Sequence, residues 1–190
     1  MSGIVGILLA AGKGVRFDPA GVHNKLLQPL ASGEPVVARA ARNLLDAIPT
    51  AIAVVRPEAP ELASALNALG CVVTVCPHAD DGMAASLVHA LRLSAQAQGW
   101  IIALGDMPYV QSATIAVLCG AIAAEADIAV PVQDGRRGNP VAFGRRHLPR
   151  LLQLTGDQGA RALLQEFPVT ELAVDDPGIF ADIDTPADLQ

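Results

Sequence analysis

Aromatic residues are scarce in this sequence, which has one Trp, one Tyr and four Phe among its 190 residues. Hydrophobic residues nevertheless make up 52% of the chain, and most of them are Ala, Val, Leu and Ile. Short aliphatic runs are typical of strands that are covered by helices on both faces. A chain of this length also suits one domain with a sizeable core. We therefore expect an α/β fold in which residues 1–190 form a single domain.

Long hydrophobic runs and targeting signals are also missing. Gly, Pro or a charged residue interrupts every apolar stretch before it reaches the length of a membrane span. The first residues lack the basic and apolar regions of a signal peptide. The three cysteines, Cys71, Cys76 and Cys119, form no C-x-x-C pair, which favours a reducing compartment. We expect a cytoplasmic protein with no membrane partner.

Positive charge is in deficit. The chain has 13 basic and 19 acidic residues and a net charge of −6, whereas a domain that binds nucleic acid normally presents a basic surface. We therefore expect no nucleic-acid partner. The exception is the segment that carries Lys13, Arg16 and Lys25. A basic segment within an acidic chain suits a small anionic ligand.

The apolar pattern predicts strands that alternate with helices. Strands are expected at 4–10, 51–55, 71–76, 100–104, 127–132, 140–143, 168–174 and 179–183. Helices are expected at 35–48, 58–69, 83–98, 112–125, 145–153 and 157–166, with Ser112 as an N-cap and Pro186 opening a last helix. The regular alternation predicts right-handed crossovers and a mostly parallel sheet, and the hairpin-like remainder predicts an antiparallel edge.

A glycine-rich basic loop follows the first predicted strand. Gly12 and Gly14 have no side chain where a backbone would approach phosphate oxygens, and the neighbouring cations would neutralise a triphosphate. The dinucleotide-binding fingerprint does not fit, because Phe17 replaces its third glycine and Arg56 replaces the acid that would hold a ribose. No Gly-Lys-Ser/Thr of a Walker loop is present. An ordinary glycine-rich connection with solvated charges remains the alternative.

Two acidic stations follow predicted strands. Asp106 lies in Gly-Asp-Met-Pro after the fourth strand, and Asp184 lies in Asp-Ile-Asp-Thr-Pro near the end of the chain. Open α/β sheets bind ligands beyond the carboxyl ends of their strands, and paired carboxylates there suit Mg²⁺ that bridges phosphate oxygens. Asp182 points to the opposite face from Asp184, so we favour Asp184. Either acid alone could instead cap a turn, and we interpret loop 77–82, with its His and two Asp, as solvated.

Seven segments, taken in order, resemble those of the MobA/MocA-like nucleotidyltransferases, and within that family most closely the molybdenum cofactor cytidylyltransferases. The segments are 9–16 (LAAGKGVR), 24–27 (NKLL), 82–87 (GMAASL), 105–108 (GDMP), 135–140 (GRRGNP), 156–161 (GDQGAR) and 182–186 (DIDTP). The resemblance implies a GT-A-like (Rossmann-like) three-layer sandwich that uses Mg²⁺ to transfer a nucleotide to a phosphorylated acceptor. In cytidylyltransferases of this kind, CTP and molybdopterin give the cytosine dinucleotide cofactor and pyrophosphate.

The resemblance also implies roles for individual residues. Those expected to bind the nucleotide are Ala10, Ala11, Gly12, Lys13, Gly14, Arg16, Lys25, Met83 and Ser86. Those expected to be catalytic are Lys13, Arg16, Lys25 and Asp106; Asp106 and Asp184 are expected to hold the metal; and Arg137, Asn139, Asp157 and Arg161 are expected on the acceptor side. Related guanylyltransferases tend to have Gly at the position of Ala11, which favours CTP here.

The chain departs from the family pattern in two places. The family's lysine follows its loop arginine more closely than Lys25 follows Arg16, so residues 18–23 resemble an insertion. Asn139 stands where His is common. Because a phosphate nucleophile is already anionic, the reaction requires no Ser, His or Cys nucleophile, and positioning and charge stabilisation would carry catalysis.

Several alternative functions remain open at this point. One is a related nucleotidyltransferase that uses another nucleotide, such as a guanylyltransferase, or another phosphorylated acceptor. Another is a non-catalytic module that binds nucleotides or delivers the cofactor. A GT-A glycosyltransferase would carry its Asp-x-Asp motif after a mid-chain strand, whereas the one here lies near the end. The partners expected are CTP, a molybdopterin-type acceptor and a molybdoenzyme that receives the product.

Overall fold

The computed structural model of the chain describes residues 3–156, 160 and 163–189. Its strands are β1 (Ile4–Leu9), β2 (Ala51–Val55), β3 (Val72–Val75), β4 (Gly99–Leu104), β5 (Ile128–Gln133), β6 (Arg136–Arg137), β7 (Val141–Gly144) and β8 (Thr170–Ala173). Its α-helices are α1 (Val36–Ala47), α2 (Pro60–Ala68), α3 (Met83–Leu93), α4 (Ser112–Ala123), α5 (Leu148–Leu151) and α6 (Leu163–Glu166). Within the described part of the chain, no helix has the length and apolarity needed to cross a membrane.

All eight strands belong to one sheet. Strands β3, β2, β1 and β4 lie side by side and are parallel, as the βαβ pattern predicts. Strand β7 pairs antiparallel with both β4 and β5, β6 pairs antiparallel with β5, and β8 pairs parallel with β5. The antiparallel pairs are therefore confined to the part of the sheet beyond β4.

Helices cover both faces of the sheet. Ile7 and Leu8 are neighbours on β1, are both fully buried, and belong to different apolar clusters. One cluster contains the apolar residues of α1, α2 and α4, and the other contains those of α3, α5 and α6. A strand buried on both faces is uniformly apolar, which is why β1 reads as a continuous hydrophobic run. The predicted three-layer α/β sandwich is thus confirmed.

Two local predictions are wrong for the same physical reason. Residues 179–183 do not form a strand; instead Pro177–Phe180 forms a 3₁₀ helix, with the side chain of Asp176 accepting a hydrogen bond from the N–H of Gly178 at 3.0 Å. Ser112 is not an N-cap but the first residue of α4. Helix α4 is instead capped by the buried side chain of Asp176, a residue far away in the sequence, which accepts a hydrogen bond from the N–H of Gln111 at 2.9 Å.

Candidate active site

The loops that carry the site leave the sheet at two neighbouring strands. Leu9 and Leu104 are partners in the parallel pairing of β1 with β4, so both strands end at the same edge. The N–H of Gly105 donates to the carbonyl oxygen of Leu9 at 2.9 Å. A Cβ at Gly105 would lie 3.1 Å from that oxygen, which explains the glycine of the Gly-Asp-Met-Pro motif. Asp106 is therefore held beside the start of the glycine-rich loop.

Gly14 makes the tight turn of the glycine-rich loop. Its φ of +64° lies in the left-handed region that glycine adopts readily, and its carbonyl oxygen accepts from the N–H groups of Phe17 and Asp18. A Cβ at Gly14 would lie 3.3 Å from the Cβ of Lys25. The absence of a side chain at Gly14 thus leaves room for Lys25 to approach.

Residues 18–23 fold onto themselves. The Asp18 carboxylate accepts from the N–H groups of Ala20, at 2.9 Å, and His23, at 2.7 Å. The hydrogen bond from His23 is the main reason that the pKa of Asp18 lies below its ordinary value. These residues therefore form a closed loop that returns the chain to Asn24, whose side chain caps the 3₁₀ helix Lys25–Leu27.

Asp106 and Asp184 both contact Lys25. Its Nζ lies 2.6 Å from Oδ2 of Asp106 and 3.7 Å from Oδ1 of Asp184. Nη1 of Arg16 lies 2.5 Å from Oδ2 of Asp184. The Lys25 side chain is only 11% exposed, whereas that of Arg16 is 79% exposed. Residues that are distant in sequence thus form a compact cluster of two carboxylates and two cations.

The turn that carries Asp184 is fixed by its own hydrogen bonds. Oδ2 of Asp188 accepts from the N–H of Asp184 at 3.0 Å and from both the N–H and the hydroxyl of Thr185. These hydrogen bonds, that from the Thr185 N–H first, lower the pKa of Asp188. Asp182 is exposed, and the intervening Ile183 is buried. Asp184 is therefore the member of the Asp-Ile-Asp pair that faces the cluster.

A cavity of about 390 Å³ opens beside the cluster. Its lining residues are Leu9, Ala10, Ala11, Gly12, Lys13, Gly14, Asn24, Lys25, Leu26, Ala79, Asp80, Gly82, Met83, Ser86, Leu104 and Asp106. All the residues expected to bind a nucleotide are among them except Arg16, which pairs with Asp184. The volume falls within the range of pockets that take small molecules.

Asp80, which the sequence predicts only as part of a solvated loop, also lines this cavity. Asp80 Oδ2 lies 3.1 Å from Nζ of Lys13, and Arg56 contacts the other oxygen of the same carboxylate. Lys13, followed by Arg56, holds the pKa of Asp80 below its ordinary value. Loop 77–82 is exposed as expected, yet it also forms part of the cavity. The sequence does contain one indication of this: loop 77–82 leads directly into the Gly82-Met segment, which was expected to bind the nucleotide.

Arg137 and Asn139, two of the four residues expected on the acceptor side, lie away from this cavity. Nε of Arg137, on β6, pairs with Oε1 of Glu171, on β8, at 2.7 Å. Asn139 lines a separate, narrow cavity, and its N–H donates to the carbonyl oxygen of Ile179. Asp157 and Arg161 lie outside the described residues.

The donor chemistry of the cluster fits a hard divalent cation. Carboxylate oxygens are the protein ligands that Mg²⁺ prefers, and Mg²⁺ usually combines one or two carboxylates with substrate phosphates and waters. In residues 3–156, 160 and 163–189 there is no group of three or more His, Cys, Asp or Glu that could hold a metal. Asp106 and Asp184 would thus leave the remaining coordination positions to phosphate and water oxygens.

Comparisons with known proteins identify the family. The MobA-like NTP transferase domain family matches residues 6–172. Rv0371c from Mycobacterium tuberculosis H37Rv is 29% identical, with a TM-score of 0.81 over 98% of this chain and 96% of that one. Its complex with manganese has the same identity and a TM-score of 0.78, over 97% and 95%.

A nucleotidyl transferase from Methanothermobacter thermautotroptrophicus is 25% identical, with a TM-score of 0.80 over 97% of this chain and 93% of that one. No curated protein matches the sequence. Because the family match covers most of the chain, this protein belongs to the MobA-like NTP transferase domain family and is a nucleotidyltransferase of that family.

Proposed function

We propose that the protein transfers CMP from CTP to the terminal phosphate of molybdopterin, giving the cytosine dinucleotide form of the cofactor and pyrophosphate. The observation that carries the proposal is the position of the cluster. Asp106, Asp184, Arg16 and Lys25 meet beside a cavity of about 390 Å³ that the glycine-rich loop lines. We also propose that the reaction takes place in the cytoplasm and that a molybdoenzyme receives its product.

The bond changes need no protein nucleophile. An oxygen of the acceptor phosphate bonds to the α-phosphorus of CTP, and the bond from that phosphorus to the bridging oxygen of the β-phosphate breaks. The attacking oxygen is already anionic near neutral pH, so no strong base is required. Lys13, Arg16 and Lys25 lie where they can bind the triphosphate and stabilise charge on the departing pyrophosphate.

Asp106 and Asp184 would hold the Mg²⁺, which, when bound, neutralises phosphate charge. The oxygen-only donor set supports this assignment, as does the manganese complex of a relative that is 29% identical. Both carboxylates also lie within ion-pair distance of the Lys25 ammonium group.

Ala11 supports CTP as the nucleotide. It is 6% exposed and lines the cavity next to Gly12, where its methyl group takes up space that a glycine would leave open. Related guanylyltransferases tend to have Gly at this position. The additional methyl suits the smaller pyrimidine base, and the buried Ser86 lines the same cavity.

The acceptor would lie on the side of β6 and the residues that follow it. Arg136 and Arg137 are both exposed there, and the guanidinium of Arg136 lies 4.5 Å from the centre of the Phe180 ring. An anionic acceptor suits such a surface. We propose Arg137, Asn139, Asp157 and Arg161 as its contacts.

The test offers each of the four nucleoside triphosphates, with Mg²⁺ and molybdopterin, to the full-length protein. Pyrophosphate release and the mass of the product are measured together. We expect release with CTP and a product heavier than molybdopterin by one CMP unit. Preferential use of GTP would make the protein a guanylyltransferase. Tight nucleotide binding without release would instead favour a binding or delivery module.

A further inference from the structure

We infer that Lys25 is an internal counter-ion that opposes metal binding until a triphosphate arrives. In the structure its ammonium group neutralises the carboxylates of Asp106 and Asp184. A divalent cation alone would therefore bind weakly, and nucleotide and metal would bind with strong mutual cooperativity. The inference deepens the proposed function and rests on the metal site that it assigns to these two acids.

The geometry places the ammonium where a cation between the two acids would lie. Nζ of Lys25 is 2.6 Å from Asp106 and 3.7 Å from Asp184, so it contacts both carboxylates. Arg16 contacts the second oxygen of Asp184 at 2.5 Å. Two negative charges thus face two positive charges, and the cluster is close to neutral before any ligand binds.

Lys25 is much more constrained than Arg16. Its side chain is 11% exposed, and its backbone lies in the 3₁₀ helix that Asn24 caps. Gly14 packs against Lys25, because a Cβ added to Gly14 would lie only 3.3 Å from the Cβ of Lys25. Arg16 is 79% exposed and can turn into solvent at little cost. The barrier to a lone metal ion therefore comes mainly from Lys25.

A triphosphate changes this balance. Phosphate oxygens provide a new partner for Lys25 and Arg16 and release Asp106 and Asp184 for metal coordination. Asp106 and Asp184 could then hold a metal ion, whose charge would further favour the bound triphosphate. Because binding coupling is reciprocal, the metal must raise nucleotide affinity by the same factor as the nucleotide raises metal affinity.

The direct test measures Mn²⁺ binding without nucleotide, from the loss of the free-ion signal in electron paramagnetic resonance. We expect Lys25→Met to bind Mn²⁺ about tenfold more tightly than the wild-type protein, because one positive charge beside the site is removed. Lys25→Arg, which keeps the charge, should bind Mn²⁺ as weakly as the wild-type protein. Adding Asp106→Asn to Lys25→Met should abolish the gain.

The matched control is Lys13→Met. Lys13 lines the same cavity and carries the same charge, but it pairs with Asp80 at 3.1 Å rather than with Asp106 or Asp184. Its removal should change the Kd for Mn²⁺ by less than about threefold, because exposed charges are well screened. An equal gain in both variants would reduce the effect to general electrostatics and overturn the inference.

The nucleotide provides a second readout. Lys25→Met should weaken CTP binding while it strengthens Mn²⁺ binding, and the cooperativity between the two ligands should fall. A purely structural role for Lys25 would weaken both ligands together and lower the melting temperature. Unchanged Mn²⁺ affinity in a folded Lys25→Met protein would overturn the inference.

Failure of this inference can be distinguished from failure of the proposed function. The Mn²⁺ measurement requires neither CTP nor an acceptor. It can therefore support the role of Lys25 as a counter-ion even if transfer of CMP is never observed. Conversely, a wild-type protein that binds Mn²⁺ tightly on its own and still transfers CMP would overturn only the inference.

Discussion

The backbone N–H of Ile183 donates a hydrogen bond to the carbonyl oxygen of Asp106 at 2.8 Å. Ile183 is 1% exposed and packs into the core, so the bond ties the turn that carries Asp184 to the end of β4. Backbone bonding, rather than attraction between the acids, therefore brings Asp106 and Asp184 together. Like charges repel when they lie close together, and the ion pairs with Lys25 and Arg16 offset this repulsion.

Replacement of Asp106 should reduce turnover with little effect on folding. We expect Asp106→Ala to lower kcat by about a hundredfold or more, because it removes charge stabilisation at the reacting phosphates. The measurement is pyrophosphate release under saturating CTP and acceptor, alongside the thermal melting temperature. The control is Asp182→Ala, since Asp182 is exposed on the same acidic turn as Asp184. Equal activity in the two variants would contradict the metal assignment.

Removal of the Asp80 charge should tighten nucleotide binding. Asp80 pairs with Lys13 at the cavity, so Asp80→Asn frees a cation and removes a charge that repels phosphate. We expect the Kd for CTP to fall by about two- to fivefold at low ionic strength and the effect to shrink as salt rises. Asp81→Asn is the matched control, because Asp81 is 73% exposed and does not line the cavity. Weaker CTP binding by Asp80→Asn would show that Asp80 itself binds the ligand.

Asp176 should be important for stability. It is 1% exposed, and its carboxylate accepts hydrogen bonds from Gln111, Thr114 and Gly178. We expect Asp176→Ala to lower the free energy of unfolding by about 2–4 kcal/mol, because three donors lose a charged acceptor in the interior. Urea unfolding measures the change, and Asp175→Ala, at an exposed position, should stay within about 0.5 kcal/mol. Similar losses in both variants would argue against this capping role.

His147 should make stability depend on pH. Burial lowers the pKa of this histidine, which is 3% exposed and whose ring centre lies 4.8 Å from that of Phe167. The unfolded chain takes up the proton near pH 6.5, about the ordinary pKa of histidine, whereas the folded protein resists it. The contribution of His147 to stability is therefore complete above about pH 6.5 and is lost as pH falls from there towards the folded pKa.

The pH effect can be isolated with His147→Leu, which removes the titrating ring. Carboxyl groups contribute equally to both proteins, so the difference in their free energies of unfolding reports on His147 alone. Between about pH 7.5 and 5.5, the wild-type protein should lose more stability than the variant. Parallel pH profiles for the two proteins would refute this account of the buried ring.

The sequence predicted the sheet well because the strands are buried on both faces. Continuous aliphatic runs such as Ala51–Val55 admit few other interpretations. The strand predicted at 179–183 failed because an apolar run can equally be a buried turn. The turn is favoured by the hydrogen bond from the N–H of Gly178 to Asp176 and by the close approach of Gly178 to the backbone of Tyr109. Neither contact produces a periodic pattern in the sequence.

The candidate site was predictable where one motif carries it and obscure where contacts join distant segments. The glycine-rich loop and Asp106 could be placed from the parallel order of β1 and β4. The pairing of Lys13 with Asp80 could not, because it depends on the exposed loop after β3 bending towards the cavity. The approach of Lys25 to both acids likewise joins segments that are far apart in the sequence.

The most direct test of the metal-dependent transfer is its dependence on Mg²⁺ in three proteins. Pyrophosphate release from CTP and molybdopterin is measured after removal of divalent ions with EDTA and during their stepwise return, for the wild type, Asp184→Asn and Asp182→Asn. The wild-type protein and Asp182→Asn should be inactive without Mg²⁺ and recover together, whereas Asp184→Asn should need at least about tenfold more Mg²⁺. Full activity in EDTA, or the same Mg²⁺ requirement in all three proteins, would contradict the central claim.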